Sequence, residues 1–379
     1  VVQQDGQIFM ERMCPEHGFE SVCISSDARF YYDSRGHNTC GSNCECDPSD
    51  DAPSDALFDT LSTCIALIEI VDSCNMACPT CFANSPVEKV VDYIPLCEIQ
   101  SRVDGVIEKK GGIEILQLSG GEPTLHPDFF ALLEWVQAHP KIDYVLVNTN
   151  GIKLAKDAAF AEALNETYKR GKVQLYLQYD GPEEGAQKIL RGADYRKIKT
   201  EALERAGAMD GGGLPITLAM TVIPENLDQL WATVALGLRY PHVRGVAFQP
   251  MFTSGRSRAQ THVLNTADII LGLVGQSDGA LSFDDFTPLP CGDPNCATIG
   301  YLIKTDDDIR SMSEFINYDE VQGFLNNRVN YNLQDLTQCG CDSEPLGDLL
   351  KQWELDESHT FRLFIKPFMD AHTWDEDRI

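Results

Sequence analysis

Cys74-Asn-Met-Ala-Cys78-Pro-Thr-Cys81 is the stretch around which the rest of the chain is organised. Its three cysteines have the spacing C-x3-C-x2-C and follow an apolar run, Ile65 to Val71, which is typical of a buried strand. The thiols are therefore expected on a loop at the carboxyl end of a strand. Three thiolates suit an iron–sulfur cluster with one open iron, whereas structural zinc requires four closed ligands. A zinc site that takes its fourth ligand from elsewhere stays open as the alternative.

A second motif follows one strand later. The run from Ile113 to Leu118 predicts a strand that leads directly into Ser119-Gly-Gly-Glu-Pro123. Two glycines after a strand allow a ligand to approach the backbone closely, and a carboxylate beside them can hold an ammonium group. Alone, Gly-Gly-Glu-Pro indicates no more than a turn. One strand after the cysteine motif, it resembles the radical S-adenosylmethionine (SAM) superfamily.

The resemblance implies a cofactor and its ligands. The superfamily holds a [4Fe-4S] cluster on three cysteines, which are here Cys74, Cys78 and Cys81. SAM chelates the fourth iron, and its methionine amino group is received by a strand end that corresponds to Gly120, Gly121, Glu122 and Pro123. One electron cleaves SAM into methionine and a 5′-deoxyadenosyl radical, which abstracts hydrogen from an unactivated C–H bond. A low-potential protein of the ferredoxin or flavodoxin type would supply that electron.

Composition limits the class of protein. The chain has 379 residues, 43% of them hydrophobic, which is enough for one large domain with appendages. No run of eighteen apolar residues and no signal peptide are visible, which predicts a cytoplasmic protein and leaves peripheral contact with a membrane open. The net charge of −28 argues against binding to nucleic acid. The 14 cysteines have tight spacings that favour metal ligation in a reducing compartment over disulfides.

Strands alternate with helices through residues 64–277. The apolar runs predict six strands, at Ile65–Val71, Ile113–Leu118, Tyr144–Asn148, Val173–Tyr179, Pro215–Val222 and Gly245–Gln249. The segments between them predict helices at Leu96–Lys110, Asp128–His139, Ala155–Arg170, Tyr195–Ala208 and Leu227–Tyr240. Six such units predict an α/β fold, an open (β/α)6 partial TIM barrel with its site at the carboxyl ends of the strands.

Several residues at the predicted strand ends are candidate contacts with SAM. They are Asn148, Asn150, Gln178 and Asp180, together with Phe248 in the Phe-Gln-Pro sequence. The asparagines and the aspartate are also ordinary turn residues, but a shared barrel face would place them beside the cluster. Arg256 and Arg258 follow the sixth strand. They are either surface charges or ligands for an anionic group of the substrate.

Cysteine-rich segments flank the predicted barrel. Residues 1–46 predict a rubredoxin- or ribbon-like head with mononuclear iron or zinc at Cys14, which Cys23 or His17 could complete, and residues 47–63 predict an acidic linker. Four cysteines could hold an auxiliary [4Fe-4S] cluster, or zinc as the alternative: Cys40, Cys44, Cys46 and Cys64. Residues 278–379 are predicted to be a second auxiliary iron–sulfur region, with ligands Cys291, Cys296, Cys339 and Cys341.

The layout as a whole resembles one branch of the superfamily, which contains archaeal tetraether lipid synthase and related proteins proposed to methylate pterin precursors. The features that carry this resemblance are the Cys-Pro-Glu-His-Gly head, the cysteine group that ends at Cys64, Phe248-Gln-Pro, the Ser-Gly-Arg turn and Pro-Cys-x-x-Pro-x-Cys. Two departures put the auxiliary ligands in doubt. Cys44-Glu-Cys46 is one residue tighter than the family spacing, and cysteines that the family has after the position of Ile379 are absent.

Three functions follow from these observations. The first is lipid biosynthesis by a transferase that joins the tails of isoprenoid lipids through an sp3 C–C bond, and it predicts a long apolar groove near auxiliary clusters. The second is methylation of a pterin-like small molecule, which predicts a compact polar pocket. The third is a non-catalytic electron relay, which disagrees with the Gly-Gly-Glu-Pro strand end. The sequence favours the lipid reaction.

Overall fold

The computed structural model describes residues 1–16, 18–34, 63–257, 263–288, 297–304, 308–316 and 359–367. At the amino end, three antiparallel strands form a small sheet: β1 (Val2–Gln4), β2 (Gln7–Cys14) and β3 (Gly18–Ser25). Asp5 and Gly6 have positive φ angles of 48° and 78°, which suit the tight turn between β1 and β2. Helix α1 (Ala28–Ser34) packs against this sheet through Tyr31 and Ile8.

The small sheet corrects one prediction for the head. Cys14 pairs with Gly18 across β2 and β3, whereas Cys23 pairs with Phe9. The two cysteines are thus five positions apart along the ladder, or about 17 Å at ~3.4 Å per residue. Cys23 therefore cannot share one metal ion with Cys14. His17, the other candidate, lies outside the described residues.

The main sheet begins with six parallel strands that are adjacent in chain order. They are β4 (Thr63–Val71), β5 (Ile113–Gly120), β6 (Ile142–Thr149), β7 (Val173–Gln178), β8 (Ile216–Val222) and β9 (Val243–Pro250). Each is a strand that the apolar runs predict. The structure therefore confirms an α/β fold with a parallel sheet.

Helices connect these strands. They are α2 (Leu96–Lys110), α3 (Phe129–Ala138), α4 (Ile152–Lys156), α5 (Ala158–Tyr168), α6 (Glu184–Arg191), α7 (Arg196–Gly207) and α8 (Leu230–Leu238), and α9 (Thr266–Gln276) follows β9. The helix predicted at Ala155–Arg170 is in fact two helices. Asp157 leaves the helical conformation, and its side chain caps α5 by accepting from the amide of Phe160. Helix α6 is absent from the sequence prediction.

Strands from the carboxyl part of the chain extend the main sheet. They are β10 (Thr287–Pro288), β11 (Thr298–Lys304), β12 (Ile309–Ser311) and β13 (Thr360–Ile365). Strand β13 lies parallel to β9, and β11 pairs antiparallel with β13. Segments within the region predicted as a separate auxiliary domain thus belong to the same sheet as the barrel strands.

The predicted auxiliary ligands are not part of this description. Cys40, Cys44, Cys46, Cys291, Cys296, Cys339 and Cys341 lie outside the described residues, as does most of the predicted linker. Cys64 lies in β4, and only its backbone is described. None of the described helices has the length and apolar character of a membrane-spanning segment.

Side chains alternate between the two faces of the main sheet. In β5, Leu116 and Leu118 are fully buried in the core beneath the helices. Ile115 and Gln117, which alternate with them in sequence, face a cavity on the other side. A similar alternation recurs along β7 and β8, and in β9 it is interrupted at Arg244, where the register with β8 shifts. One face of the sheet thus provides the hydrophobic core and the other provides the wall of the site.

Candidate active site

A cavity of about 480 Å³ lies against the inner face of the main sheet. Its wall includes residues from every strand between β4 and β9, and from β11 and β13. The sheet must therefore curve around this space. The volume falls within the roughly 300–1,000 Å³ that is usual for small-molecule sites.

The three cysteines of the C-x3-C-x2-C motif all line this cavity. Their loop follows β4 directly, as the sequence predicts, and backbone hydrogen bonds shape it. The amide of Cys74 donates to the carbonyl of Pro86 at 2.9 Å, and the amide of Asn84 donates to that of Cys81 at 3.2 Å. Burial, reinforced by the charges of Glu122 and the other two cysteines, raises the pKa of Cys74 to about 11. A metal that binds Cys74 must therefore displace the proton of the thiol.

The donor set fits an iron–sulfur cluster. Three soft thiolates on one wall of a cavity are the ligands that such clusters require. Within the described part of the chain, no group of three or more His, Cys, Asp or Glu side chains forms a site for a single metal ion.

Gly120 and Gly121 bring the end of β5 against the cysteine loop. A Cβ atom on Gly120 would lie 2.1 Å from the carbonyl oxygen of Val71, and one on Gly121 would lie 2.2 Å from that of Ser73. Two amides make this contact specific, because Gly121 donates to Val71 at 2.7 Å and Glu122 donates to Ser73 at 3.0 Å. Both glycines also line the cavity. The sequence analysis considered only the approach of a ligand and missed this packing of backbone on backbone.

Glu122 joins the ends of β5 and β6. Its carboxylate is 1% exposed and accepts from the hydroxyls of Thr124 at 2.7 Å and Thr149 at 2.8 Å, and from the amide of Asn150 at 2.8 Å. Pro123 begins the short 3-10 helix Pro123–Leu125, which carries Thr124. Glu122 lines the cavity, as expected for a residue that contacts SAM, but its main partners belong to the protein.

Asp180 lies behind the cavity wall and holds Arg191. The carboxylate is fully buried and accepts from Nε and Nη2 of Arg191, each at 2.7 Å. Arg191 also donates to the hydroxyl of Thr221 at 2.8 Å and hydrogen-bonds the thiol of Cys78. Burial by itself would lower the pKa of Arg191, but the charge of Asp180 outweighs this and raises it. Asp180 is not among the residues that line the cavity, whereas Arg191 is, so contact of Asp180 with SAM stays a prediction.

Lys199 connects these two carboxylates. Its fully buried ammonium donates to the side-chain oxygen of Gln178 at 2.8 Å and to the carbonyl of Asn150. Gln178 in turn donates to Asp180, whereas the amide of Asn150 donates to Glu122. Burial lowers the pKa of Lys199 to about 8, although Asp180 and Glu122 both oppose this shift.

Arg191 and Lys199 were both missed by the sequence analysis. Helix α6, which carries Arg191, is short, and Lys199 lies in the interior of α7, where a lysine is usually a surface residue. The signals for α6 were an i,i+4 pair, Glu184 and Lys188, and Gly192, which ends the helix with a φ of 81°.

The predicted asparagines lie at the cavity, whereas Phe248 does not. Asn148 accepts from Gln117 at 2.7 Å, and Asn150 donates to Asn75 of the cysteine loop at 2.6 Å. The side chain of Phe248 is fully buried in the core, because alternate residues of β9 face opposite sides of the sheet. Its neighbour Gln249 lines the cavity instead and donates to the hydroxyl of Tyr176 at 2.8 Å.

Arg256 contacts the cysteine loop rather than the cavity. Its guanidinium donates to the carbonyls of Cys78 at 3.0 Å and Ser85 at 2.9 Å. Gly255, with a φ of 56°, permits this approach, since a Cβ atom there would lie 2.3 Å from the carbonyl of Phe82. These contacts assign Arg256 to the support of the loop, and its role in substrate binding stays a prediction. Arg258 lies outside the described residues.

Residues 68–237, which include the cysteine loop and the strands β5 to β8, match the family model described as the radical SAM superfamily. The chain is a radical SAM enzyme. The match begins inside β4 and ends in α8, so the residues that supply Arg256, β11 and β13 lie beyond it. The predicted superfamily and its implied use of SAM and a [4Fe-4S] cluster are thus confirmed.

The radical SAM enzyme resembles proteins of several activities. It is 26% identical over 365 residues to 7,8-dihydro-6-hydroxymethylpterin dimethyltransferase of Methanocaldococcus jannaschii, which covers 86% of this chain and 68% of that protein. It is 31% identical over 187 residues to GTP 3′,8-cyclase of Syntrophomonas wolfei, which covers 48% of this chain and 55% of that protein. The SAM-bound crystal structure of SuiB from Streptococcus suis superposes with a TM-score of 0.46 at 16% identity, over 57% of this chain and 47% of that one.

These comparisons support the superfamily but not the narrower branch. The chain spans about two thirds of the length of the pterin dimethyltransferase and about half of that of the cyclase. The predicted membership in the branch of tetraether lipid synthase therefore stays a prediction, and the activity of the whole protein is a matter for proposal.

Proposed function

We propose that this radical SAM enzyme methylates a pterin-like small molecule. The observation that carries the proposal is a cavity of about 480 Å³ whose wall is mostly apolar but has amide and hydroxyl side chains on several strands. These are Gln117, Asn148, Gln174, Gln178, Thr217 and Gln249. Amide side chains of this kind can pair with the ring nitrogens and carbonyl of a pterin. The similarity to a pterin dimethyltransferase over most of the chain supports the same reading.

This proposal reverses the order of preference that the sequence suggested. Coupling of lipid tails requires a long apolar groove, because the affinity for a lipid must come from burying its chains at roughly 0.8 kcal/mol per CH2. Most of the described wall is apolar, but each strand from β5 to β9 also places a polar or charged residue on it, and a groove for lipid chains alone would not need these residues. Lipid coupling accordingly becomes the second candidate.

The cysteines and their surroundings suit radical chemistry. Cys74, Cys78 and Cys81 would hold the cluster, which supplies the electron for cleavage of SAM to methionine and a 5′-deoxyadenosyl radical. Apolar side chains stand beside the cysteines on the cavity wall, among them Met76, Phe82 and Phe252. The rings of Phe82 and Phe252 lie 6.0 Å apart. Apolar residues beside the cysteines would limit the access of water and other hydrogen donors to a reactive intermediate.

The proposal also includes the predicted accessory metals. One auxiliary [4Fe-4S] cluster would use Cys40, Cys44, Cys46 and Cys64, and another would use Cys291, Cys296, Cys339 and Cys341. Cys14 would belong to a mononuclear iron or zinc site in the head. Iron, zinc and sulfide analysis of a variant in which Cys74, Cys78 and Cys81 are all alanine tests these assignments, because that variant should keep only the auxiliary clusters. A zinc-only result for it would overturn both auxiliary clusters.

The cysteine loop is tested first. Replacing Cys74, Cys78 and Cys81 with alanine should remove about four irons per chain and abolish formation of 5′-deoxyadenosine. The matched control is Cys97→Ala, because Cys97 is an exposed cysteine on α2. The control should keep the iron content and SAM cleavage of the parent enzyme. If the triple variant still cleaves SAM, these cysteines do not hold the cluster.

Methylation is tested with the reconstituted enzyme under anaerobic conditions. The enzyme, a strong reductant and SAM with a trideuterated methyl group are incubated with 7,8-dihydro-6-hydroxymethylpterin, and products are identified by mass spectrometry. A product in which a methyl group replaces hydrogen on the pterin supports the proposal, and the deuterium content shows whether SAM is the methyl donor. A parallel incubation with archaeal lipid extract tests the second candidate. Loss of two hydrogens per joined pair of tails, with the pterin unchanged, would establish lipid coupling instead.

A further inference from the structure

The charge of the cavity wall is opposite to that of the molecule. The chain has a net charge of −28. Among the described residues that line the cavity, Glu122 is the sole carboxylate, whereas four side chains are cationic: Arg191, Arg244, Arg362 and Lys366. Positive charge that is concentrated in the cavity favours the entry of an anion, even though the protein as a whole is acidic.

Two of the charged residues, Arg191 and Glu122, lie on the side of the cavity near the cysteine loop. Arg191 is paired with Asp180 and hydrogen-bonds Cys78, and Glu122 is held by threonine hydroxyls and a backbone amide. The other three cations belong to the strands β9 and β13. Arg362, Phe364 and Lys366 occupy alternate positions, and all three line the cavity.

The register of β9 and β13 places the two arginines away from the cysteine loop. Arg362 pairs with Gly245, the residue after Arg244, so both arginines lie at the amino end of β9. Pro250, at the carboxyl end of β9, is five residues further along, or about 16 Å at ~3.3 Å per residue. Lys366 lies nearer to the carboxyl end of β9 than the two arginines do, because its amide donates to the carbonyl of Phe248 at 2.9 Å.

Arg244 also influences two basic residues, His242 and Lys304, near the amino end of β9, which marks the lower end of the cavity. After burial, the charge of Arg244 is a cause of the lowered pKa of Lys304, and it also contributes to the lowered pKa of His242. Lys304 donates to the carbonyls of Tyr240 and Pro241, just before β9. Neighbouring like charges in a partly buried place repel each other, and a bound anion relieves that repulsion.

We propose that Arg244 and Arg362 bind a phosphate group of the substrate at the lower end of the cavity. The inference rests on the proposed function and names its substrate class, a pterin that carries a phosphate ester. Two guanidinium groups offer the planar, paired donors that suit phosphate oxygens. The phosphate anchors the substrate at the lower end, so the pterin ring lies between it and the cysteine loop. Lys366 lies along the wall that the substrate would follow.

The test measures binding at equilibrium, without turnover. The reconstituted enzyme is titrated anaerobically by calorimetry with 7,8-dihydro-6-hydroxymethylpterin and, separately, with its phosphate ester. The ester should bind about tenfold or more tightly than the free pterin, because each charged hydrogen bond to phosphate is a strong one. In the double variant Arg244→Gln, Arg362→Gln, the two ligands should bind equally, and the free pterin should keep its affinity. Arg102→Gln, which removes an exposed arginine of α2, is the matched control.

Equal affinities of the two ligands for the parent enzyme, or an unchanged preference in the double variant, would overturn the inference and leave the proposed function standing. If neither pterin binds, the anion site is tested with pyrophosphate and with a short isoprenoid phosphate. An increase in Tm with either ligand that the double variant loses supports the site while the proposed function fails. An increase that is equal in both proteins indicates an adventitious ion only and overturns the site as well.

Discussion

Glu122 and Asp180 are both buried carboxylates at the carboxyl ends of strands, but the protein stabilises them differently. Glu122 is surrounded by neutral donors, which are two threonine hydroxyls and two backbone amides. Asp180 has a direct bidentate ion pair with Arg191. Uncharged groups thus suffice to stabilise the carboxylate of Glu122, whereas the carboxylate of Asp180, on the side of the site near Cys78, is stabilised by a full positive charge.

Lys199 makes the two arrangements into one network. It donates to Asn150, whose amide holds Glu122, and to Gln178, whose side chain holds Asp180. Two carboxylates and two cations are thus balanced within one buried group. Replacing a member of this network should lower the free energy of unfolding most where its direct partner is a charged group.

The largest effect is expected for Asp180→Ala. This variant leaves the guanidinium of Arg191 buried without its carboxylate, so the free energy of unfolding should fall by about 3–5 kcal/mol. Chemical denaturation of the metal-free protein measures it. The control is Asp104→Asn on α2, where the carboxylate is largely exposed and the change should be within about 0.5 kcal/mol. A loss for Asp180→Ala as small as that of the control would show that the ion pair does not stabilise the rim.

Lys199→Met should change how stability depends on pH. The pKa of Lys199 is about 8 in the folded protein against 10.5 in the unfolded chain. Between these values the unfolded chain binds more protons, so the stability of the parent protein should rise with pH relative to the variant, by up to about 3 kcal/mol. Below pH 8 both states are protonated, and the difference should be constant. Denaturation series from pH 6 to about 10.5 measure this, and parallel curves across the range would contradict the burial of a charged lysine.

A smaller effect is expected for Glu122→Gln. The amide keeps one acceptor oxygen and places a donor against groups that already donate, so the loss in the free energy of unfolding should be about 1–3 kcal/mol. The same denaturation experiment measures it beside Asp180→Ala. If the loss for Glu122→Gln exceeds that for Asp180→Ala, the direct ion pair is not the stronger of the two arrangements.

The sequence predicted the elements that depend on local patterns. The six strands β4 to β9 are apolar runs of ordinary length, and the cysteine and glycine motifs follow them directly. Helix α6 escaped prediction because it has only eight residues, too few for a clear period. Gly120 and Gly121 were recognised as special, but their partners lie elsewhere in the chain, Val71 at the end of β4 and Ser73 in the loop that follows it. No sequence pattern indicated that Lys199 is buried, because its partners are distant in the chain: Asn150 follows β6 and Gln178 ends β7.

The place of β13 in the main sheet could not be predicted from the sequence either. Its partner β9 comes far earlier in the chain, and the pairing of such distant segments leaves no periodic signal. The predictions for the regions 1–46, 47–63 and 278–379 therefore stay predictions, apart from the strands that the structure assigns to the main sheet.

The late position of β13 has a consequence for how the polypeptide assembles. Strands β4 to β9 pair with their immediate successors, which favours early formation, whereas β13 must close a loop of more than a hundred residues, or about 4 kcal/mol of chain entropy by the usual estimate. Until β13 arrives, β9 presents an unpaired edge, which is a template for association between nascent chains. A chain whose synthesis stopped before Thr360 would therefore expose β9 as an unpaired edge strand. It would also lack Arg362 and Lys366.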